Sequence, residues 1–577
     1  MRKRIIRRLQ PCMPEALALR DLHPVLQRVY SNRGVGQYTD LDYSLTGMLP
    51  LDRLQGIAKA VRILQQAIGA GQRLLILGDF DADGATSTAL AVRALRSMGA
   101  KDVHYLVPNR FEYGYGLTPE IVDVAAEYHP DVLITVDNGI SSLEGVAAAK
   151  EAGMTVVITD HHLAGERLPD ADAIVNPNQP GCDFSSKALA GVGVIFYLMM
   201  ALRAALRESG WFTPQRAEPN LAQLLDLVAL GTIADVVPLD RNNRVLVSQG
   251  LRRIRAGQCC AGISALLQVA GRNQSQTVSS DLAFAVGPRL NAAGRLQDMS
   301  LGIECLLEDN ASKALGIAQQ LNDLNLERKA IEHEMQQAAL ADMQKLLDEL
   351  DQGELPTGIC LYDPEWHQGV IGILASRIKE RFYRPVIAFA DAGEGQIKGS
   401  ARSIEGLHIR DALDNIAVQN PGLIQKFGGH AMAAGLSLRA EDFHAFRDAF
   451  DREAARQLDA DALRHVIESD GELLAHEMNL ELAEILRKAG PWGQHFPEPL
   501  FDGEFELINW RIVGEKHLKM QLLPEAGAAP IDAIAFNTPL EAIGEQADSV
   551  RAVYRLDVNE YRNRRNVQLL VEYLEPL

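Results

Sequence analysis

Three aspartates at alternate positions, Asp79, Asp81 and Asp83, stand in the run LLILGDFDADGATSTAL. Carboxylates packed that closely repel one another unless something positive lies between them, and a divalent cation is the usual solution. Two further apolar runs end in a similar way. DVLITVDNGISS closes on Asp137, Asn138 and Gly139, and TVVITDHHLAG closes on Asp160, His161 and His162. A fourth run, GTIADVVPL, offers Asp235. Carboxylates joined by one or two imidazoles suit Mn²⁺, whereas an all-oxygen site favours Mg²⁺ or Ca²⁺. Five or more donor side chains exceed what one catalytic ion uses. The economical reading is two ions about 3.5–4 Å apart, with Asp137 as candidate bridge. Such a pair acidifies a bound water and stabilises charge on a scissile phosphate, so the chemistry expected is phosphodiester hydrolysis.

Other chemistries share parts of this pattern. A calcium-binding EF-hand loop needs a bidentate acid at its twelfth position, which here is Leu90, and it follows a helix rather than a strand. A dinucleotide fingerprint needs G-x-G-x-x-G, which this turn lacks. An aspartyl-phosphate phosphatase also begins with a strand and an Asp-x-Asp loop, and stays open as a rival. So does the plainer reading that each Asp caps the helix after it. That explanation serves one aspartate better than all of them together.

The elements that must carry these residues are legible from periodicity. Apolar runs at 73–77, 103–107, 131–136, 155–159 and 173–175 alternate with Ala-rich helical stretches, the signature of βαβ units and a parallel sheet. In such a sheet the carboxyl ends of the strands share one edge, so Asp81, Asp83, Asp137 and His161 should converge there. Residues 221–239 read as a helix ending in a loop at Gly231 to Pro238. Residues 317–352 contain neither Gly nor Pro and carry apolar residues at helical spacing, which predicts one long bridging helix. A second α/β region holds two glycine-bearing polar stretches read as loops, KGSARS and GGHAMAAG. The short alternating runs near the C-terminus suggest a small antiparallel β-barrel. The expected fold class is therefore α/β: a parallel-sheet catalytic domain and a second α/β domain joined by a long helix, plus a C-terminal barrel. The expected boundaries are an N-terminal extension at 1–50, the catalytic domain at 51–245, a helical connector at 246–355, a substrate-binding domain at 356–455 and the barrel domain at 456–577.

The 577 residues exceed what one hydrophobic core organises. A net charge of −19 argues against nucleic acid as a ligand unless metal ions or a local basic groove reverse it. The six cysteines form no CxxC pair, so no zinc or redox motif is supported. No apolar run reaches the roughly 18 residues needed to cross a bilayer, and the basic start MRKRIIRR is followed by no apolar stretch. The expectation is a cytoplasmic protein with no membrane partner.

Assembled, these motifs resemble the DHH phosphoesterase superfamily: Asp79-x-Asp81-x-Asp83-Gly84, Val136-Asp137-Asn138-Gly139, Asp160-His161-His162 and Ala234-Asp235. GGHAMAAG at 428–435 resembles its DHHA1 partner domain. FEYGYGL, GPRLNAAGR and the long helix point to a branch of bacterial exonucleases. The resemblance implies digestion of single-stranded DNA from the 5′ end, in repair and recombination. It implies Asp79, Asp81, Asp83, Asp137, His161 and Asp235 as metal ligands, with His162 on metal or phosphate. Asp160 would orient a histidine. Some superfamily members have a histidine four residues before the Asp81 position, and Leu77 stands there in this chain. The resemblance also implies a single-strand-binding protein and a helicase as partners.

Single-stranded DNA needs cations interleaved with aromatic faces. Arg110, Tyr113 and Tyr115 offer this beyond one strand tip. Trp510, Arg511, Tyr554, Tyr561, Arg562, Arg564 and Arg565 offer it on the OB-like barrel. Ser400, Arg402, Ser403, Gly428, Gly429 and His430 suit a clamp on a terminal phosphate, and Arg289 and Arg377 are further candidate cations. Two rival functions stay open besides the phosphatase: hydrolysis of short oligonucleotides, cyclic dinucleotides or pyrophosphate, and a non-catalytic DNA-binding scaffold.

Overall fold

The computed structural model describes residues 3–8, 21–109, 116–349, 355–514, 517–538, 547–561 and 564–577. The chain forms two compact units, one of Arg7–Asn325 with Ser469–Leu577, the other of Met1–Ile6 with Leu326–Glu468.

The first unit is centred on five parallel strands in the order Val103–Leu106, Leu74–Leu77, Val132–Val136, Thr155–Thr159, Ala173–Val175. Leu74 pairs with both Val103 and Val132, Val132 with Thr155, and Val157 with Ala173, so every carboxyl end lies along one edge. Strands covered on both faces read as unbroken apolar runs. LLIL and VLITV are buried at every position. The helix Ala82–Ser97 follows the first strand and packs against the helices Gly191–Glu208 and Leu225–Ala234. These three helices bring chain segments distant in sequence to the same sheet edge.

The same unit holds a five-stranded barrel. Its ladders join Phe501–Val513, His517–Leu523, Ile531–Ala535, Arg564–Pro576 and Ser549–Tyr561 in a ring that returns to the first strand. Phe501, Phe505 and Tyr554 lie in its core. Residues 21–50 show no period in sequence, yet the helix Pro24–Ser31 buries Val25, Leu26, Val29 and Tyr30.

The chain enters the second unit within the helix Ala311–Glu349. That helix starts before Gly316 and so extends beyond the glycine-free run; one glycine in a long helix costs only about 1 kcal/mol. The second unit has a sheet ordered Lys426–Gly429, Ala433–Arg439, Gln396–Arg402, Val386–Gly393, Ile359–Tyr362, parallel only at the last pair. Its two polar, glycine-bearing stretches correct the expectation of loops. Residues 398–402 belong to one strand, and 428–429 and 433–435 to two others. Pairing on both sides of the central strand supplies the order their composition does not.

Candidate metal centre

After Leu77 the chain turns through Gly78, where a Cβ would stand 2.2 Å from Thr88 Oγ1. Asp79 then accepts the N–H of Phe80 at 2.7 Å. Asp81 caps the helix Ala82–Ser97, accepting the N–H groups of Asp83 at 2.9 Å and Gly84 at 3.0 Å. The helix-cap reading of this aspartate is therefore correct, and it coexists with a place in the acidic cluster. Asp83 is buried. Its two oxygens accept Gly191 N–H at 2.6 Å and Val192 N–H at 3.0 Å, the opening residues of the helix Gly191–Glu208. A helix N-terminus favours negative charge there.

Asp137 ends the third strand in the left-handed region, at φ 64°, where residues other than glycine are uncommon. Strain of this kind persists only where its surroundings hold it. Asn138 supplies that hold by donating to Leu77 O at 3.2 Å and Val136 O at 2.9 Å, tying two strand ends together. Gly191 is required beside it, since a Cβ there would lie 2.7 Å from Asp137 Oδ1.

Asp160 is buried and acts as an acceptor on every side. Oδ1 takes His161 N–H at 2.7 Å, His162 N–H at 3.0 Å and His162 Nδ1 at 2.7 Å, and Oδ2 takes Ile140 N–H at 2.9 Å. His161 Nε2 lies 3.1 Å from Asp137 Oδ1 and 3.5 Å from Asp235 Oδ2. Asp235 stands at the C-cap of Leu225–Ala234.

These loops bring together three sets of donors, each within 4.8 Å: Asp137, His161 and His162; Asp83, His161 and Asp235; Asp79, Asp81 and Asp137. Asp137 and His161 each belong to two sets. Burial, then the neighbouring carboxylates, push the Asp83 and Asp137 carboxyls well above their ordinary range, and burial raises Asp235 as well. Burial lowers His161. Burial also works against protonation of His162, but the Asp160 hydrogen bond and charge carry that ring up to about 9. His161 Nε2 is buried and makes no hydrogen bond despite the carboxylates around it. Crowded carboxylates about an imidazole nitrogen with no proton partner are the donor set a divalent cation fits.

Sequence reasoning missed the supports of this pocket. Asn291 Oδ1 accepts Ala82 N–H at 2.8 Å, and a Cβ on Gly294 would stand 1.9 Å from Phe80 O, so the helix Gly287–Leu296 is seated on the first acidic loop. Both residues lie in GPRLNAAGR, where only Arg289 was singled out. Arg289 donates to Ala285 O at 2.6 Å and Asn322 Oδ1 at 3.1 Å.

In the second unit Arg402 donates to Ser400 Oγ at 3.2 Å and Ala401 O at 2.8 Å. A Cβ on Gly372 would lie 2.9 Å from both Arg402 Nη2 and Ser400 Oγ, so the first turn of the helix Ile371–Phe382 abuts this pair. Gly429 has φ 145° and leaves no room for a Cβ, which would meet Ala433 O at 2.4 Å. Gly428 faces open space at that position, and His430 N–H donates to Ala433 O at 2.8 Å. Ser403 is buried, its hydroxyl donating to Leu407 O at 2.7 Å. Arg377 pairs with Glu332 at 2.9 Å and Glu380 at 3.4 Å.

On the barrel, Trp510 is 43% exposed whereas Tyr554 is fully buried. Arg511 and Arg564 are exposed, and Arg565 pairs with Glu484 and Glu560, each at 3.0 Å. The Tyr561 backbone pairs with Arg564. Arg110, Tyr113, Tyr115 and Arg562 lie outside the described residues.

A parallel sheet presenting Asp-x-Asp-x-Asp-Gly, Asp-Asn-Gly and Asp-His-His along one edge defines a DHH-type phosphoesterase. The family model described as "DHH family, N-terminal domain" matches residues 73–232, the DHHA1 domain model matches 356–456 and the RecJ OB domain model matches 469–573. The chain is 58% identical over 560 residues to the single-stranded-DNA-specific exonuclease RecJ of Dickeya dadantii, covering 96% of each chain. It is 54% identical over 559 residues to that of Escherichia coli K12, again covering 96% of each. The crystal structure of RecJ in complex with Mn²⁺ from Thermus thermophilus matches with a TM-score of 0.80 at 31% identity, covering 100% of this chain and 79% of that one. The chain belongs to the RecJ family.

Proposed function

We propose that this protein is a metal-dependent exonuclease that hydrolyses single-stranded DNA from the 5′ end by a two-metal, water-attack reaction, in DNA repair and recombination. One observation carries the reading: acidic and imidazole side chains from four separate segments meet in a pocket where like charges crowd together. Asp79, Asp81, Asp83, Asp137, His161 and Asp235 would hold Mn²⁺ or Mg²⁺. That Asp137 and His161 each belong to two donor sets favours two ions, with Asp137 between them. When bound, such ions acidify a coordinated water and balance charge on the phosphate.

The chain's own residues set the stage for this. Asp160 fixes His162 through Nδ1, which makes Nε2 the nitrogen that ring presents to a metal or a phosphate oxygen. The Gly191–Val192 N–H groups fix Asp83, and Asn138 fixes the turn that carries Asp137. Ser400, Arg402, Gly428, Gly429 and His430 form a cradle for the terminal 5′ phosphate, with the first turn of Ile371–Phe382 against it. Ser403 secures the adjoining turn. Arg289 and Arg377 add cations, and Arg110, Tyr113, Tyr115, Trp510, Tyr561, Arg562, Arg564 and Arg565 provide the track for the strand. Among the described residues no helix is long and apolar enough to cross a membrane, and a cytoplasmic location is part of the reading. A single-strand-binding protein and a helicase are the partners proposed. Strands coated with the former should be digested at least as fast as naked ones, and a block by the coat would remove that partner.

The test uses long 5′-labelled single strands with Mn²⁺, Mg²⁺ or chelator, comparing the wild type with Asp137→Ala. Release of labelled nucleotides by the metal-loaded wild type alone is expected. Hydrolysis that survives chelation overturns the proposal. A preference for dinucleotides over long strands would favour the short-substrate reading, against which the barrel's exposed Trp510 and Arg564 argue.

A further inference from the structure

Phe284 is 75% exposed while its neighbours Leu282, Ala285 and Val286 are buried. It sits in a π-helical turn, Leu282–Val286, a rare geometry concentrated at functional sites. Leaving a phenyl ring in water forfeits the largest gain that side chain offers to folding.

The position of the turn supplies a reason. It packs against the helix Leu225–Ala234 and runs directly into Gly287–Leu296. That second helix touches two of the acidic loops. A Cβ on Gly287 would lie 3.3 Å from Ala234 Cβ, one residue before Asp235, and Asn291 holds Ala82 N–H at 2.8 Å. Phe284 therefore stands three residues before the point where this helix meets the Asp235 loop. On the other side of Asp235, Val236 is 62% exposed and held at φ 61°, a costly conformation for a β-branched residue. Arg289 folds back so that its guanidinium meets Ala285 O at 2.6 Å, beside Phe284 in sequence, and Asn322 Oδ1 at 3.1 Å. Both of those acceptors are neutral. An exposed ring one residue before the carbonyl that holds a guanidinium, on the turn leading into the helix that seats two acidic loops, has the makings of a nucleotide subsite: the base on the ring and the phosphate on the guanidinium.

We propose that Phe284 is a base-stacking, positioning residue that seats one nucleobase of a single strand beside the metal centre, with Arg289 on the adjoining phosphate. This deepens the exonuclease reading and rests on it. The test measures kcat and KM for a labelled single strand and for the same strand with a single abasic site at the nucleotide next to the scissile phosphate, using the wild type, Phe284→Ala and Phe284→Trp. The wild type should have a KM roughly tenfold lower for the base-bearing strand, the size of one stacking contact. Phe284→Ala should lose that advantage with kcat little changed, because uniform binding is what is removed. Phe284→Trp should restore it, and both variants should melt with the wild type because the ring is exposed. If Phe284→Ala still discriminates between the strands, or weakens both equally, the stacking role is overturned while the exonuclease reading stands. If the wild type digests no single strand, both fall together.

Discussion

Two groups of carboxylates lie buried in the same unit and are built in opposite ways. Asp470 is enclosed by donors: Arg33 reaches each oxygen at 2.9 Å, Arg8 at 3.3 Å, Asn32 at 3.0 Å and Leu500 N–H at 3.1 Å. Burial alone would raise its carboxyl, but these partners hold it below the ordinary range. Asp502 is held by Arg7 and Ser469 in the same manner. At the strand tips the neighbours of the acids are other acids, and Asp83 and Asp137 are pushed the opposite way. Burial of an acid does not mark a functional site; the sign of the charge around it does. Asp470 is satisfied by the chain, whereas the strand-tip pocket is arranged for a charge brought from outside.

Substitutions can break this contrast. Asp137→Ala should slow nucleotide release by about a thousandfold or more, since charge stabilisation worth several kcal/mol depends on it. Asp137→Asn should also raise the melting temperature of the metal-free protein, because it relieves buried repulsion, whereas Asp470→Asn should lower it. A fall in both would erase the distinction. Arg33→Ala strands Asp470 without its main partner and should cost about 3–5 kcal/mol in urea unfolding, with metal affinity unchanged. Asp160→Asn should reduce activity or metal affinity by about 10–100-fold, as expected for a group that orients a ligand. The smallest effect lies in the second unit. Glu453, chiefly through its Arg456 hydrogen bond, is held at about 2 against an ordinary 4.5. A depressed carboxyl stabilises fully above its unfolded value and loses that contribution as pH falls toward the folded one. Glu453→Gln should therefore cost about 1 kcal/mol at pH 7. The deficit should shrink between pH 4.5 and 2 in unfolding curves taken across that range.

The strand-tip half of the contrast was legible in sequence, because apolar runs buried on both faces end abruptly in Asp-rich turns and a parallel sheet gives those ends one edge. The Asp470 nest was not. Arg8, Arg33, Asp470 and Leu500 are far apart in the chain, and no local period joins them. The supports of the pocket were hidden for a related reason: Asn291 and Gly191 act through single contacts across the fold. The polar strands Gln396–Arg402 and Lys426–Gly429 resembled loops because ladder pairing rather than composition orders them. Trp510 and Tyr554 belong to similar alternating runs, yet one is exposed and the other buried. Tyr554 shares the inward parity of Ala552, Leu556 and Val558, whereas Phe501–Val513 has its buried residues in its first half and is exposed from Ile508 to Ile512, where Trp510 lies, and alternation alone does not show where a strand leaves the core.

The proposed mechanism requires that the strand-tip carboxylates share their charge with two cations. Titration of the metal-free protein with Mn²⁺, followed by calorimetry and by the electron-spin resonance of free and coupled manganese, tests it directly. Two ions per chain with a spin-coupled signal are expected, and loss of that coupling in Asp137→Asn. Binding of a single uncoupled ion, or wild-type stoichiometry and coupling in Asp137→Asn, would contradict that mechanism.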